Sequence, residues 1–310
     1  MSASSGSSPG SPSSSESSKP SGPGGAPSFR HFLQMKERGE KIVALTAYDV
    51  LFARILEEQG VDLILVGDSL GQVVLGYETT VPVTLEEMLH HGRAVRRGAP
   101  ETFTILDLPF LSYQTGEDDA VRSAGRVLKE GAAHAVKVEG ADPRTCAAVS
   151  RMVEVGIPVM GHVGLTPQSI HTLGGYRVQG RDAEGARRVR EGARALQDAG
   201  CFAIVLELMP SSLAAEVTEE LAVPTIGIGA GPRCDGQVLV LPDALGLNPG
   251  FRPRFLKRFA DLHEEASRGV AEYVREVRGG SYPDAEHSFP GPGATADSGE
   301  ADSESGSREP

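Results

Sequence analysis

The stretch Ala135-Val136-Lys137-Val138-Glu139-Gly140 sets a pattern that recurs along the chain. It is a short apolar run of strand length that ends in a cation and a carboxylate. Residues two apart on a strand share a face, so Lys137 and Glu139 point to the same side. Burying a charge is costly unless the charge is paired or binds a metal. The two charges therefore indicate a functional strand end rather than packing.

The same pattern occurs in three further segments, LILVGDS (63–69), FTILDLP (103–109) and AIVLELMP (203–210). Each segment ends in one acid, Asp68, Asp107 or Glu207, that is in phase with alternate apolar residues of its strand. A single acid at a strand end is most often a helix N-cap or a loop ligand. Four such acids in phase with the inward face favour a shared site.

The two ends of the chain differ in composition from its middle. Residues 1–27 are almost entirely Ser, Gly, Pro and Ala, and residues 284–310 are acidic and rich in the same small residues. Neither could bury enough apolar surface to offset the entropy lost on ordering, so both are predicted to be disordered tails. Residues 28–283 are long enough for one large domain with a full core.

The charge balance excludes several classes of function. The net charge of the 310 residues is −12, and about half of it lies in residues 284–310, which carry seven acidic residues and one arginine. Without clustered Lys and Arg, no nucleic-acid partner is expected. No apolar run approaches 18 residues, so we expect no membrane span. The N-terminus also lacks the layout of a secretory signal or a transit peptide.

The cysteines point to a reducing compartment. Cys146, Cys201 and Cys234 have no spacing typical of a metal site. Three unpaired cysteines suit a reducing cytosol, so a cytoplasmic location is predicted.

Strands and helices alternate through the middle of the chain. The predicted elements are helix 28–40, strand 41–48, helix 49–59, strand 62–66, helix 84–98, strand 102–106, helix 117–130, strand 135–138, a helix that starts at 142–143, strand 157–160, helix 183–199, strand 203–206, helix 211–221, strand 223–228, strand 237–241 and a helical stretch at 252–278. About eight repeats in about 250 residues predict an α/β fold, a (β/α)8 barrel with an extra N-terminal helix. A doubly wound open sheet is the alternative, although its glycine fingerprint is missing from the first strand–helix turn.

A barrel would bring the strand-end acids to one mouth, because the chemistry of such barrels lies where the strands end. Asp68, Asp107 and Glu139 would repel one another there, and a divalent cation would remove the repulsion. Oxygen donors without nearby His or Cys favour Mg²⁺ over zinc. One Mg²⁺ with open positions could take both oxygens of a 2-keto acid and stabilise its enolate.

Enolate formation needs a base beside the metal. Glu207, from a later strand, is the candidate proton acceptor. Lys137 could pair with the substrate carboxylate or enolate oxygen, and the Ser69 hydroxyl could hydrogen-bond the substrate carboxylate. His162 is open between a structural histidine and a polar site residue. Segments 166–168 and 176–181 are open between a lid and an ordinary surface loop.

A resemblance to a known family covers about residues 28–289. It is carried, in order, by the segments TAYDVLFA, LILVGDSLG, YETTVPVTLEEM, VRRGAP, DLPF, AVKVEG, PVMGHVGLTPQS, GGYRVQGR, VLELMP, TIGIGAG and CDGQVLVLPDALG. These motifs closely resemble ketopantoate hydroxymethyltransferase. The resemblance implies a TIM barrel of the phosphoenolpyruvate/pyruvate-binding type and the first committed step of pantothenate synthesis.

The resemblance also supplies what the pattern alone cannot. It implies transfer of a hydroxymethyl group from 5,10-methylenetetrahydrofolate to 3-methyl-2-oxobutanoate, giving 2-dehydropantoate, and assembly as a homo-oligomer, often a decamer. Position by position, it places Mg²⁺ on Asp68, Asp107 and Glu139. It places the keto acid on Asp68, Asp107, Ser69 and Lys137, and it makes Glu207 the proton acceptor.

Two rival interpretations remain open at the level of the sequence. A lyase acting on a 2-keto or 2-hydroxy acid would keep the barrel and the metal but would turn over without folate. A catalytically silent barrel serving as an oligomeric scaffold predicts that at least one of the four acids is missing, yet Asp68, Asp107, Glu139 and Glu207 are all present.

Overall fold

A computed structural model describes residues 28–289 of the chain. It contains two compact units, one that ends at Ala260 and one that begins at Asp261. Of the two predicted disordered tails, residues 1–27 and 290–310 lie outside the described residues. The single-domain boundary at 28–283 stays a prediction.

The first unit is built from alternating strands and helices. In chain order the elements are α1 (Arg30–Arg38), β1 (Ile42–Thr46), α2 (Val50–Glu58), β2 (Leu63–Val66), α3 (Leu70–Val73), α4 (Leu85–Gly98), β3 (Phe103–Asp107), α5 (Glu117–Glu130), β4 (Ala135–Lys137), α6 (Pro143–Glu154), β5 (Val159–Gly164), a 3-10 helix (Pro167–Ser169), α7 (Ile170–Leu173), α8 (Ala183–Asp198), β6 (Ala203–Glu207), α9 (Ser211–Glu220), β7 (Thr225–Ile228), β8 (Gly236–Leu239) and α10 (Leu241–Ala244).

The eight strands pair in sequence order and close into a barrel, with β1 hydrogen-bonded to both β2 and β8. Every pair is parallel. The predicted (β/α)8 barrel is confirmed, and the open doubly wound sheet is excluded. All strand C-termini consequently meet at one mouth.

The barrel is packed on both sides of its wall. Inward-facing apolar residues such as Ile105, Met160 and Val205 fill its interior. A second cluster, which includes Leu89, Leu106 and many other buried residues, joins the outer faces of the strands to the helices. Parallel strands covered on both faces explain why the segments 63–66 and 103–106 read as continuous apolar runs.

Helix α1 closes the N-terminal end of the barrel. Phe32 and Met35 of α1 are buried in the interior cluster. The Phe32 ring lies edge-on to Phe103 at 5.1 Å and also faces Phe202 at 6.4 Å. Phe103 opens β3 and Phe202 directly precedes β6, so α1 covers the end where these strands begin. The opposite mouth remains for chemistry.

The helix starts follow the signals in the sequence. Thr84 forms a capping box with Glu87 at the start of α4, in which each side chain binds the other residue's backbone amide. Asp142 caps α6, with Pro143 at its first position.

Two predicted segments differ from the structure. The strand predicted at 157–160 runs as β5 from Val159 to Gly164, and the long irregular loop after it contains the 3-10 helix and α7. The helical stretch predicted to begin at 252 begins at Leu262 instead. Pro253 disfavours helical backbone at Arg252, and residues 252–261 are not helical.

The second unit contains α11 (Leu262–Gly279), which has no buried residue. Val270, Tyr273 and Val277 are exposed and lie three and four residues apart along it. Across residues 28–289, the search for a helix long and apolar enough to cross a membrane found none.

Candidate active site

The acids predicted from strand ends do meet at the C-terminal mouth. Asp107 and Glu207 are the last residues of β3 and β6, and Lys137 is the last residue of β4. Asp68 and Glu139 each follow two residues after a strand. All five border one cavity of about 1200 Å³, together with Ser69 and His162. Residues up to 139 positions apart in the sequence therefore share a single pocket.

Lys137 lies at the centre of the acidic cluster. Its Nζ donates to Oδ1 of Asp107 at 2.7 Å and lies 3.9 Å from Oε1 of Glu139. The side chains of these three residues are at most 5% exposed. The second oxygen of Asp107 accepts a hydrogen bond from the backbone N–H of Asp68 at 3.0 Å, which joins the ends of β2 and β3.

Negative charge exceeds positive charge in this cluster. Burial, with repulsion from Asp107 and Glu139, raises the pKa of Asp68 well above its ordinary value. Burial alone would lower the pKa of Lys137, but the Asp107 and Glu139 carboxylates outweigh it and raise that pKa. Lys137 therefore stays charged, and three buried carboxylates face one lysine.

His162 joins the two sides of the pocket. It lies on β5, is 2% exposed, and its Nδ1 and Nε2 stand 3.6 Å from Glu139 and 3.3 Å from Glu207. Neither ring nitrogen meets hydrogen-bond geometry with any group in residues 28–289. Burial acts to lower the pKa of His162, but the two carboxylates raise it to about 9. Given the geometry, we attribute that rise to the proximity of charge. The sequence left this residue open, and the structure brings it into the cluster.

The position of Glu207 depends on an adjacent glycine. Gly164 has φ of +100°, and a Cβ there would lie 2.1 Å from the carbonyl oxygen of Glu207. The same oxygen accepts a hydrogen bond from the backbone of Leu165 at 2.9 Å. Leu208, directly after Glu207, has a φ of 49°, a strained conformation for a residue with a branched side chain. The end of β6 is thus held in one unusual backbone path.

Two site residues, Tyr48 and Tyr113, were missed by the sequence reasoning, and Gln168 was named only as part of segment 166–168, a possible lid. Tyr48 is buried, and its hydroxyl lies 2.8 Å from Oγ of Ser69. Tyr113 is buried, and its hydroxyl bonds both the backbone N–H and the carbonyl of Glu139. Gln168 contacts Asp68 and Glu139 directly. No local pattern marks these residues, because each acts on a partner distant in sequence.

The donor set fits a hard dication by its chemistry. As the side chains stand, no three or more His, Cys, Asp or Glu in the described part of the chain are spaced to hold a metal ion. The sequence premise that no histidine lies nearby is wrong, since His162 stands 3.6 Å from Glu139. Asp68, Asp107 and Glu139 themselves offer only oxygen, and their excess of buried negative charge and the raised pKa of Asp68 are features that a divalent cation would relieve. The roles predicted for Asp68, Asp107, Glu139, Ser69, Lys137 and Glu207 stay predictions at this point.

Comparisons with known proteins identify the relatives of the chain. The model of the family described as ketopantoate hydroxymethyltransferase matches residues 27–285. A 3-methyl-2-oxobutanoate hydroxymethyltransferase of Syntrophus aciditrophicus (strain SB) is 53% identical over 255 residues, which are 82% of this chain and 93% of that protein. One of Carboxydothermus hydrogenoformans is 54% identical over 256 residues, with 83% and 92% covered.

Solved structures share the fold at low identity. A 2,3-dimethylmalate lyase, described as a PEP mutase/isocitrate lyase superfamily member, has a TM-score of 0.54 at 18% identity and covers 84% of this chain and 92% of its own. A phosphonopyruvate hydrolase complex with oxalate and Mg²⁺ has a TM-score of 0.54 at 12% identity, with the same coverage. These likenesses show the fold alone, a closed (β/α)8 barrel, and the phosphoenolpyruvate/pyruvate-binding type stays a prediction.

Proposed function

The chain belongs to the ketopantoate hydroxymethyltransferase family, and we propose that this enzyme transfers a hydroxymethyl group from 5,10-methylenetetrahydrofolate to 3-methyl-2-oxobutanoate. The products are 2-dehydropantoate and tetrahydrofolate, and the reaction opens pantothenate synthesis. The single observation that carries the proposal is the convergence of Asp68, Asp107, Lys137, Glu139 and Glu207 on one cavity. The two relatives, which are named for this activity, align with the chain over 93% and 92% of their own length.

The keto acid binds between the ends of β2, β3 and β4. Asp68, Asp107 and Glu139 would hold Mg²⁺, which supplies a Lewis acid toward the carboxylate and keto oxygens of the substrate. Lys137, already charged and buried, donates to the oxygen that becomes negative when the enolate forms. The hydroxyl of Ser69, oriented by Tyr48, donates to the substrate carboxylate.

Glu207 removes the proton from C3 of the keto acid. Glu207 is the last residue of β6, and His162 on β5 lies between it and Glu139. The side chain of Glu207 is 17% exposed. His162 lies 3.3 Å from Glu207 and 3.6 Å from Glu139, so it keeps the base and the acidic cluster at a fixed separation. The carbon freed of its proton forms a bond to the methylene carbon of the folate, and the bonds from that carbon to N5 and N10 both break. Water supplies the hydroxyl group of the product, and the C3 proton and the remaining proton of the water end on N5 and N10, which gives tetrahydrofolate.

The size of the cavity supports a second, larger substrate. A volume of about 1200 Å³ greatly exceeds the space that a small branched keto acid fills. Beyond the acidic cluster the cavity is bordered by apolar side chains, including Leu208, Ile228 and Phe255. Those surfaces leave room for the ring system of a folate beside Glu207.

The proposal is tested by consumption of 3-methyl-2-oxobutanoate with and without methylene-folate, before and after chelation by EDTA. Turnover should require both the folate and a divalent metal, with Mg²⁺, Mn²⁺ and Co²⁺ compared. Turnover without folate would favour the lyase interpretation instead. Turnover that survives EDTA would remove the metal from the account.

A variant separates the base from the binding residues. Glu207→Gln should still bind Mg²⁺ and keto acid but should lose the exchange of the C3 hydrogen in deuterated water. Unchanged exchange in this variant would remove Glu207 from the role of base.

Two further properties belong to the same proposal. We expect the chain to assemble as a homo-oligomer, with ten subunits as the resemblance implies, and light scattering after size exclusion measures this directly. We also expect it in the cytoplasm, which cell fractionation would test.

A further inference from the structure

Gln168 occupies an unusual position at the barrel mouth. It lies in the 3-10 helix that follows β5 and is 5% exposed, although from the sequence segment 166–168 was open between a lid and an ordinary surface loop. Its backbone and side chain contact groups that follow β2, β3 and β4. A residue from the segment after β5 therefore contacts the ends of three other strands.

Two of those contacts are made to carboxylates. The backbone N–H of Gln168 donates to Oε2 of Glu139 at 2.9 Å. The side-chain Nε2 donates to Oδ2 of Asp68 at 2.8 Å and to the carbonyl oxygen of Leu108 at 2.9 Å. Asp68 and Glu139 carry like charges that would separate without such donors. Hydrogen bonds to charged acceptors are among the stronger ones in proteins.

The orientation of the amide is fixed by its own partners. Oε1 of Gln168 accepts from Nε2 of Gln114 at 3.1 Å. It also lies 3.1 Å from the hydroxyl of Tyr113, whose single proton is shared with the Glu139 carbonyl at 2.8 Å. A flipped amide would place Oε1 against the Asp68 carboxylate and the Leu108 carbonyl, which are both acceptors. The orientation that points Nε2 at Asp68 and Leu108 is therefore the one that pairs donors with acceptors on both sides of the amide.

The chemical type of the side chain also matters. Arg or Lys at this position would hold Asp68 but would cancel its charge and compete with a cation. A neutral amide fixes the carboxylate and leaves its charge available. This combination suits a ligand-binding carboxylate better than a purely structural one.

Resting on the function proposed above, we infer that Gln168 is a positioning residue, which holds the carboxylates of Asp68 and Glu139 in the arrangement that binds the divalent cation and the keto acid. It touches neither the reacting carbon nor the base. It acts only through the carboxylates of Asp68 and Glu139. These residues lie in the loops after β2 and β4, which would be freer to move without the contacts of Gln168.

The first test variant is Gln168→Met, which keeps the length of the side chain and removes both donors. Titration calorimetry with Mg²⁺ in the presence of 3-methyl-2-oxobutanoate should show a loss of metal affinity of about 10- to 100-fold, the range typical for groups that orient metal ligands. The KM for the keto acid should rise in parallel. Gln168→Asn, whose amide is one methylene too short to reach Asp68, should change both quantities in the same direction.

The matched control is Gln197→Met. Gln197 is also partly buried, and its Oε1 accepts from the backbone of Ala222 at 2.7 Å and of Val223 at 3.3 Å, away from the mouth. Its loss should lower the midpoint of thermal unfolding and leave Mg²⁺ affinity unchanged. If Gln168→Met lowers the midpoint as much as the control does and binds Mg²⁺ within twofold of wild type, Gln168 is only structural and the inference is overturned.

Asp107→Asn separates this inference from the proposed function. It should abolish measurable Mg²⁺ binding whatever Gln168 does. If Asp107→Asn weakens binding and Gln168→Met does not, the positioning role fails while the proposed site stands. If neither variant weakens Mg²⁺ binding, the proposed metal site fails and the positioning role fails with it.

Discussion

Replacing Lys137 by Met should strongly destabilise the protein in the absence of metal. Lys137 is buried between Asp107 at 2.7 Å and Glu139 at 3.9 Å, and its removal leaves Asp107 without its ion-pair partner in a cluster where carboxyl groups already outnumber cations. Removing one partner of a buried ion pair costs about 3–5 kcal/mol, because the other charge stays buried and unpaired. For a chain of this size, the midpoint of thermal unfolding should fall by about 6–20 °C.

The assay is urea denaturation followed by circular dichroism, with and without Mg²⁺. The control is Arg126→Met, since Arg126 makes ion pairs of nearly the same length, 2.8 Å to both Glu86 and Glu130, between side chains that are 39–69% exposed. That variant should unfold close to wild type. Mg²⁺ should stabilise Lys137→Met more than it stabilises wild type, because the cluster without Lys137 has more uncompensated negative charge.

A loss for Lys137→Met no larger than that for Arg126→Met would refute this reasoning. It would mean that the carboxylates relax into solvent or take up protons at no cost. Equal stabilisation of Lys137→Met and wild type by Mg²⁺ would refute the claim that the metal and the lysine offset the same negative charge.

Three further perturbations test other parts of the account. Gly164→Ala should lower the free energy of unfolding, measured by urea denaturation, by about 2 kcal/mol or more, because the added Cβ would collide with the Glu207 carbonyl. It should also slow the exchange of the C3 hydrogen. A variant as stable as wild type would contradict this. Tyr48→Phe removes the hydrogen bond between the Tyr48 hydroxyl and Ser69. The KM for the keto acid in steady-state kinetics should rise about fivefold, the effect of losing one hydrogen bond. An unchanged KM would exclude Ser69 as a substrate contact. Burial, aided by the charge of Arg96, lowers the pKa of His134 to about 4. Between about pH 6.5 and 4 the unfolded chain therefore binds a proton that the folded chain does not. The free energy of unfolding should fall as the pH is lowered through this window. His134→Gln should lose about 1–2 kcal/mol less than wild type across that window after allowance for partial exposure, and identical pH profiles in denaturation would contradict the assignment.

The fold was predictable because its signals are local and repeated. Apolar runs such as 63–66 and 103–106 mark buried parallel strands, and Thr84 and Asp142 mark helix starts. The acids could be placed at one mouth because all strands of a parallel barrel end there. The predicted inward phase was correct for Asp107, Glu139 and Glu207. It was wrong for Asp68, because Ile64 and Val66, which are in phase with it, pack in the outer cluster, and only the turn after β2 brings Asp68 to the pocket. Where local signals conflict, as at Pro253 within a charged helix-like stretch, the boundary was wrong by about ten residues.

The rest of the site depends on contacts that no local pattern records. Gln168 reaches Asp68 across 100 positions of the sequence, and Tyr113 reaches Glu139 across 26. Both come from irregular segments without strand or helix period. Their side chains become informative only after the barrel has closed, since each is defined by its partner rather than by its neighbours.

The exchange of the C3 hydrogen of 3-methyl-2-oxobutanoate tests the central claim most directly. Proton NMR in deuterated water would follow this exchange in the wild-type enzyme with Mg²⁺ and without any folate. The account predicts steady loss of the C3 signal, which stops when EDTA removes the metal and returns when Mg²⁺ is restored. Absence of exchange with Mg²⁺, or exchange at the same rate after chelation, would contradict a pocket in which buried carboxylates and a dication make that hydrogen labile.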